Sequence, residues 1–179
     1  MFKISRDTPA YFLTSVTHKR LPIFQKDELK AIISNALDEA RRSGGFYLFA
    51  YVIMSDHTHL LTDNTLEIKD VLRFVNGISA RRVIDHLKTN NHVSSLEKLR
   101  VAERADTQRY SVYQHHPNAI RITGEDAFME KVGYIHRNPV VDGIAEHPDD
   151  YLYSSSRLWH KRPIGDEPLL TDHETIAWR

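Results

Sequence analysis

The sequence predicts an α+β fold, an antiparallel sheet with packed helices, and three observations carry that expectation. Short runs of β-branched and aromatic residues alternate with long stretches of helical periodicity. Two of those runs, FYLFAYVIM and HTHLLT, are separated by Ser55 and Asp56 alone, a link that suits an antiparallel hairpin. The 179 residues, 41% hydrophobic and 27% charged, fit one globular unit that can bury its own core.

Each element follows from its local pattern. Residues 11–17, YFLTSVT, read as a strand, and KRLPIF as the loop after it. From Asp27 to Arg42, Leu29, Ile32, Ile33, Ala36, Leu37 and Ala40 recur on one helical face, and Gly44 and Gly45 end the helix. Residues 46–54 are nearly all apolar, the mark of a central strand covered on both faces. Residues 57–62 return as the second arm of the hairpin. A second helix is expected from about Leu66 to Lys88, with Ile68, Val71, Leu72, Val75 and Ile78 as its stripe. Residues 89–110 are polar and weakly periodic, a helical turn plus loop. SVYQHH and AIRIT read as strand material broken at Pro117. Thr123 and Asp126 form a weakened capping box for a last helix starting at 124 or 125, with Phe128, Val132 and Ile135 turned inward. Pro139 should end or bend that helix. The order β-α-β-β-α-β-α points to a ferredoxin-like sheet. One domain, 1–179, is expected, with 148–179 as a C-terminal extension of little regular pattern.

Composition removes several classes of function. The absence of cysteine excludes disulfides, thiolate metal sites and a cysteine nucleophile. No apolar run is long enough to span a membrane, and the N-terminus carries charge where a signal peptide needs an apolar core. A cytoplasmic protein with no membrane partner is expected. Net charge is zero, which does not advertise a nucleic-acid binder. Its distribution is uneven. Residues 69–109 hold nine Lys/Arg against five Asp/Glu, and residues 142–179 hold four against eight. A basic middle would let one face meet phosphates, although two solvated surfaces explain the same pattern. The acidic tail would be able to cover a site or restrain entry of nucleic acid.

Two motifs carry chemistry. In MSDHTHLL, His57 and His59 alternate along a strand and so share a face, while Thr58 and Leu60 take the other. Their imidazoles can converge on one ion. A catalytic centre takes three protein ligands and an open position, so a third ligand must come from elsewhere. A pair of ordinary polar residues on a sheet face is the competing reading. In KVGYIHRNPV, Tyr134 and Asn138 stand four apart and share a helix face. His136, two residues from Tyr134, is about 200° around the helix and faces elsewhere.

HTHLL, on the strand after an apolar strand, resembles the His-hydrophobic-His (HUH) motif. YIHRNPV resembles the single catalytic tyrosine helix of the one-tyrosine HUH transposases. Together, over roughly residues 8–155, they resemble the REP-associated tyrosine transposases, which act on repetitive extragenic palindromes. The sequence departs from that pattern at Ser55-Asp56, at Thr58 in the hydrophobic slot, and at Tyr113, where family members often have Trp. The resemblance implies an HUH-endonuclease fold. It implies His57, His59 and Asn138 as ligands of Mg²⁺ or Mn²⁺, and Tyr134 as the nucleophile that forms a 5′-phosphotyrosine. It also implies single-stranded DNA with a palindromic hairpin as the partner. Lys19, Arg20, Arg73, Arg81, Arg82, His136 and Arg137 are candidate DNA contacts, and His115 and His116 either approach the site or sit in a loop. Monomer and homodimer both occur among such transposases, which leaves the assembly open. Two other readings stand beside this one: a non-cleaving, sequence-specific DNA-binding protein derived from a transposase, and a zinc hydrolase, which would lack its third histidine.

Overall fold

A computed structural model describes residues 1–101, 109–115 and 117–178. Its main elements are β1 (Ala10–Val16), α1 (Asp27–Gly44), β2 (Leu48–Ile53), β3 (His57–Thr62), α2 (Ile68–Thr89), α3 (Val93–Leu99), β4 (Arg100–Val101), β5 (Arg109–Tyr110), β6 (Asn118–Ile122), α4 (Glu125–Val141) and α5 (Ser156–Trp159). The main sheet runs β2-β3-β1-β6 with every neighbour antiparallel, so β1 and β2 are parallel to each other with β3 between them. This is the split βαβ of a ferredoxin-like fold, as the element order predicts.

The sheet separates two layers. Tyr11, Leu13 and Ser15 of β1 face α2, where Ser15 Oγ donates to Asn76 Oδ1 at 2.7 Å. Helix α1 packs along α2. Phe12, Thr14 and Val16 face the other way, toward α4, whose Phe128 meets Phe49 of β2 at 5.7 Å between ring centroids. Gly45 ends α1 in the left-handed region, φ 67°, which a residue without Cβ adopts at no steric cost.

Several expectations change. Strand β2 is an edge strand, not a central one. All six of its residues are nonetheless buried, because residues from the tail run along its free edge. The N–H groups of Ser155 and Asp172 donate to the carbonyls of Tyr51 (3.0 Å) and Leu48 (2.7 Å). Ile53 N–H donates to Tyr153 O at 2.9 Å, and Trp159 Nε1 donates to Phe49 O at 2.9 Å. Unpaired edge groups need partners, and the tail provides them. Segment 111–115 is not a strand: Tyr113 makes one isolated bridge to Thr17. Residues 93–99 are a regular helix, and β4 and β5 pair as a two-residue ladder. The capping box does not form. Gly124 is the N-cap of α4, no side chain caps it, and Glu125 and Asp126 place negative charge in its first turn. Pro139 lies inside the last turn, and the helix runs on to Val141. Among the described residues no helix is long and apolar enough to cross a membrane.

The tail is anchored by a buried ion pair. Arg157 Nη2 and Glu167 Oε2 are 2.7 Å apart, with side chains 8% and 3% exposed. Arg157 also donates to the carbonyls of Asp149, Tyr151 and Leu152. Replacing Glu167 by Leu strands a buried guanidinium, and should destabilise the fold by about 3 kcal/mol or more. A urea midpoint that does not move would contradict this.

Candidate active site

Strand β3 sets the histidine pair on the α4 face. Its register on β1 puts Val16 opposite His57 and Thr14 opposite His59, and the two imidazole centroids are 4.8 Å apart. Each ring is fixed through Nδ1. Thr14 Oγ1 lies 2.8 Å from His59 Nδ1, and Asp56 Oδ1 lies 2.6 Å from His57 Nδ1. Engaging Nδ1 leaves both Nε2 atoms available, the arrangement that orients metal-binding histidines. Arg20 Nη1 holds the other Asp56 oxygen at 3.1 Å. Burial pushes the Asp56 carboxyl up, but the hydrogen bond and charge of His57, with Arg20, outweigh it and hold it below its usual value.

Helix α4 supplies the facing wall. The Tyr134 ring stands edge-on to His59 at 5.2 Å and to Phe12 at 5.8 Å, and Phe12 stacks on His59 at 5.3 Å. Tyr134 is nevertheless 44% exposed. Asn138 Nδ2 donates to the Tyr134 carbonyl one turn back at 2.8 Å. Its side chain lies close enough to His59 to favour the protonated ring. Burial, reinforced by His57, still pushes His59 down to about 3 against the opposing effects of Asn138 and Asp56. The neutral imidazole, the form that ligates, therefore prevails at neutral pH. His57, His59, Tyr134 and Asn138 share one cleft of about 660 Å³, with Arg20, Arg137 and Asn118 on its walls.

Not every candidate residue gathers here. Arg73, Arg81 and Arg82 lie on α2, behind the sheet, where they pair with Asp70, Asp85 and Glu39. Lys19 is exposed in the turn beside Arg20; both residues have left-handed backbones, φ 53° and 54°. His136 lies away from the cleft: it is 5% exposed, and its Nε2 lies 2.9 Å from Ser155 Oγ. His115 is close to His18 rather than the cleft, and His116 lies outside the described residues. Of the acidic tail, Asp142 lines the cleft, while residues 153–155 and 172 run along the outer edge of β2. Thr14 was not readable as a participant, because nothing in the sequence pairs it with a histidine 45 positions away. Asp56 was visible beside His57, but without a role.

His59 and His136 make stability pH-dependent. Burial lowers both to about 3 in the folded protein, against about 6.5 when unfolded. Between those values the unfolded chain binds more protons, so acid favours unfolding. In chelator, stability should fall by a few kcal/mol between pH 7 and pH 5, at up to about 1.4 kcal/mol per pH unit for each group. Denaturant midpoints that stay flat across this range would refute the neutral assignment.

The antiparallel sheet is of the ferredoxin-like kind, and it offers a histidine pair to a tyrosine-bearing helix. A family model described as IS200-like transposase matches residues 7–98, from β1 through both histidines, and the chain belongs to that family. The fold is similar to a solved REP-associated tyrosine transposase bound to a REP hairpin, at 15% identity and TM-score 0.63, covering 92% of this chain and 87% of that one. It is also similar to a protein of Deinococcus radiodurans R1 provisionally assigned as a transposase, at 20% identity and TM-score 0.50, covering 73% and 90%. Among curated proteins no significant match is found.

Proposed function

We propose that this transposase, acting as a single domain of residues 1–179, cleaves and rejoins single-stranded hairpin DNA of the REP-like palindromic kind through a 5′-phosphotyrosine at Tyr134. The observation that carries this reading is the convergence of His57, His59, Asn138 and an exposed Tyr134 in one cleft. The donor set of two neutral imidazoles and one carboxamide fits a divalent ion such as Mg²⁺ or Mn²⁺ that keeps positions open for phosphate oxygens. Bound there, such an ion would supply positive charge to the scissile phosphate.

The chain's own groups do the rest. Tyr134 Oη loses its proton and bonds to phosphorus, the bond from phosphorus to the 3′-oxygen breaks, and that oxygen takes up a proton. The new phosphodiester link to tyrosine keeps the energy of the broken one for rejoining, which suits strand transfer better than hydrolysis. Asp56 and Thr14 hold the imidazoles in place, and Arg20 and Arg137 are positioned to take backbone phosphates. Tyr134 meets His59 of its own chain, which supports one chain holding a complete site.

The test is incubation with flanked hairpin DNA and Mn²⁺, followed by denaturing electrophoresis. A covalent protein–DNA species with a free 3′-hydroxyl on the released strand is the expected result. Tight hairpin binding with no adduct in either Mg²⁺ or Mn²⁺ would instead favour a DNA-binding protein that no longer cuts.

A further inference from the structure

The face of α4 turned away from the cleft carries a buried polar link with no part in the chemistry above. His136 Nε2 lies 2.9 Å from Ser155 Oγ, at 5% and 0% exposure. Ser155 belongs to the tail, yet it is bound to β2 through two atoms. Its N–H donates to Tyr51 O at 3.0 Å, and its Oγ accepts from Tyr51 N–H at 3.0 Å. Tyr51 in turn stands opposite Leu60, the residue after His59 on β3. A chain of directed bonds therefore runs from α4 through Ser155 to the strand paired with the histidine strand. His136 sits midway between Tyr134 and Asn138, so its height along the helix axis fixes theirs.

The apolar contacts of Phe128, Val132 and Ile135 hold α4 onto the sheet but are non-directional and tolerate sliding. A buried hydrogen bond has one good geometry, and leaving either partner unmatched is costly. We infer that His136 and Ser155 form a latch that sets the position of Tyr134 and Asn138 relative to His57 and His59. They are positioning residues of the strand-cleavage reaction proposed above, on which this inference rests. Ser155 thereby belongs to the active-site framework without lining the cleft.

The test compares His136→Leu, His136→Gln, Ser155→Ala and the double variant His136→Leu/Ser155→Ala in the full chain. Readouts are the adduct rate at saturating hairpin, the hairpin Kd, and Mn²⁺ affinity by electron paramagnetic resonance. A displacement of about 1 Å at reacting groups costs on the order of 100-fold in rate. His136→Leu and Ser155→Ala should each lower the adduct rate 10- to 100-fold and weaken Mn²⁺ binding, with hairpin Kd within about twofold. The double variant should be no slower than the worse single one, because both break the same link. His136→Gln, whose amide can still reach the hydroxyl, should recover most of the rate. Folded variants with wild-type rate and Mn²⁺ affinity, or losses that simply add, would overturn the latch. If His136→Leu does not fold, Ser155→Ala with His136→Gln decides by the same criteria. If the wild-type protein forms no adduct, the cleavage reading fails, and Mn²⁺ affinity alone still judges the latch.

Discussion

Tyr134→Phe should abolish the covalent protein–DNA adduct, a fall of at least about 1,000-fold, while hairpin affinity stays within about twofold. Removing a nucleophile that acts as a unit with its site costs orders of magnitude in rate. The ring itself is kept, so its edge contacts with Phe12 and His59 survive and the cleft wall holds its shape. Among the described residues Tyr134 is the only tyrosine that lines the cleft, so the substitution removes its phenol oxygen and no other takes its place there. Gel shift and denaturing gel on the same reaction separate binding from chemistry. An adduct that persists at wild-type yield in Tyr134→Phe sinks the assignment outright.

The second large effect concerns the histidines. His57→Ala should reduce adduct formation in Mg²⁺ or Mn²⁺ by about 100-fold or more, the scale of losing a directly acting electrostatic group. His59→Ala should do the same and also destabilise the fold, because His59 is buried, bonded to Thr14 and stacked on Phe12. Asp56→Asn offers a graded control. It keeps both imidazoles but weakens the charge that orients His57, so the Mn²⁺ concentration for half-maximal activity should rise about 10- to 100-fold. Excess Mn²⁺ should rescue Asp56→Asn and should not rescue His57→Ala. Equal behaviour of the two variants across a Mn²⁺ titration would rule out the orienting role of Asp56.

Some of this was legible in residues alone. Period-two alternation puts His57 and His59 on one face whatever the strand's neighbours are, and the helical spacing does the same for Tyr134 and Asn138. The two pairs do meet, Tyr134 against His59 at 5.2 Å. What depends on pairing was not legible. Thr14 becomes a partner of His59 only through the register of β1 on β3. The basic residues of α2 cluster in sequence with no sign that the sheet would screen them from the cleft. The apolar run of β2 mimics a central strand because the tail buries its edge from more than 100 residues away. A tail without periodicity gives no warning of that, since its order comes from individual hydrogen bonds, one buried ion pair and scattered core residues rather than a repeating face.

That covered edge has a consequence for how the molecule meets copies of itself. An exposed, apolar β2 would be a template on which a second strand could register. With residues 153–155 and 172 already bonded along it, the template is used up within the chain. The opposite margin, β6, is five residues long, mostly exposed, and preceded by Pro117, which has no N–H to donate. Shortening the chain before residue 148 would therefore trade a self-contained sheet for an adhesive one, and the first symptom should be aggregation during expression, ahead of any loss of rate that follows from losing Ser155.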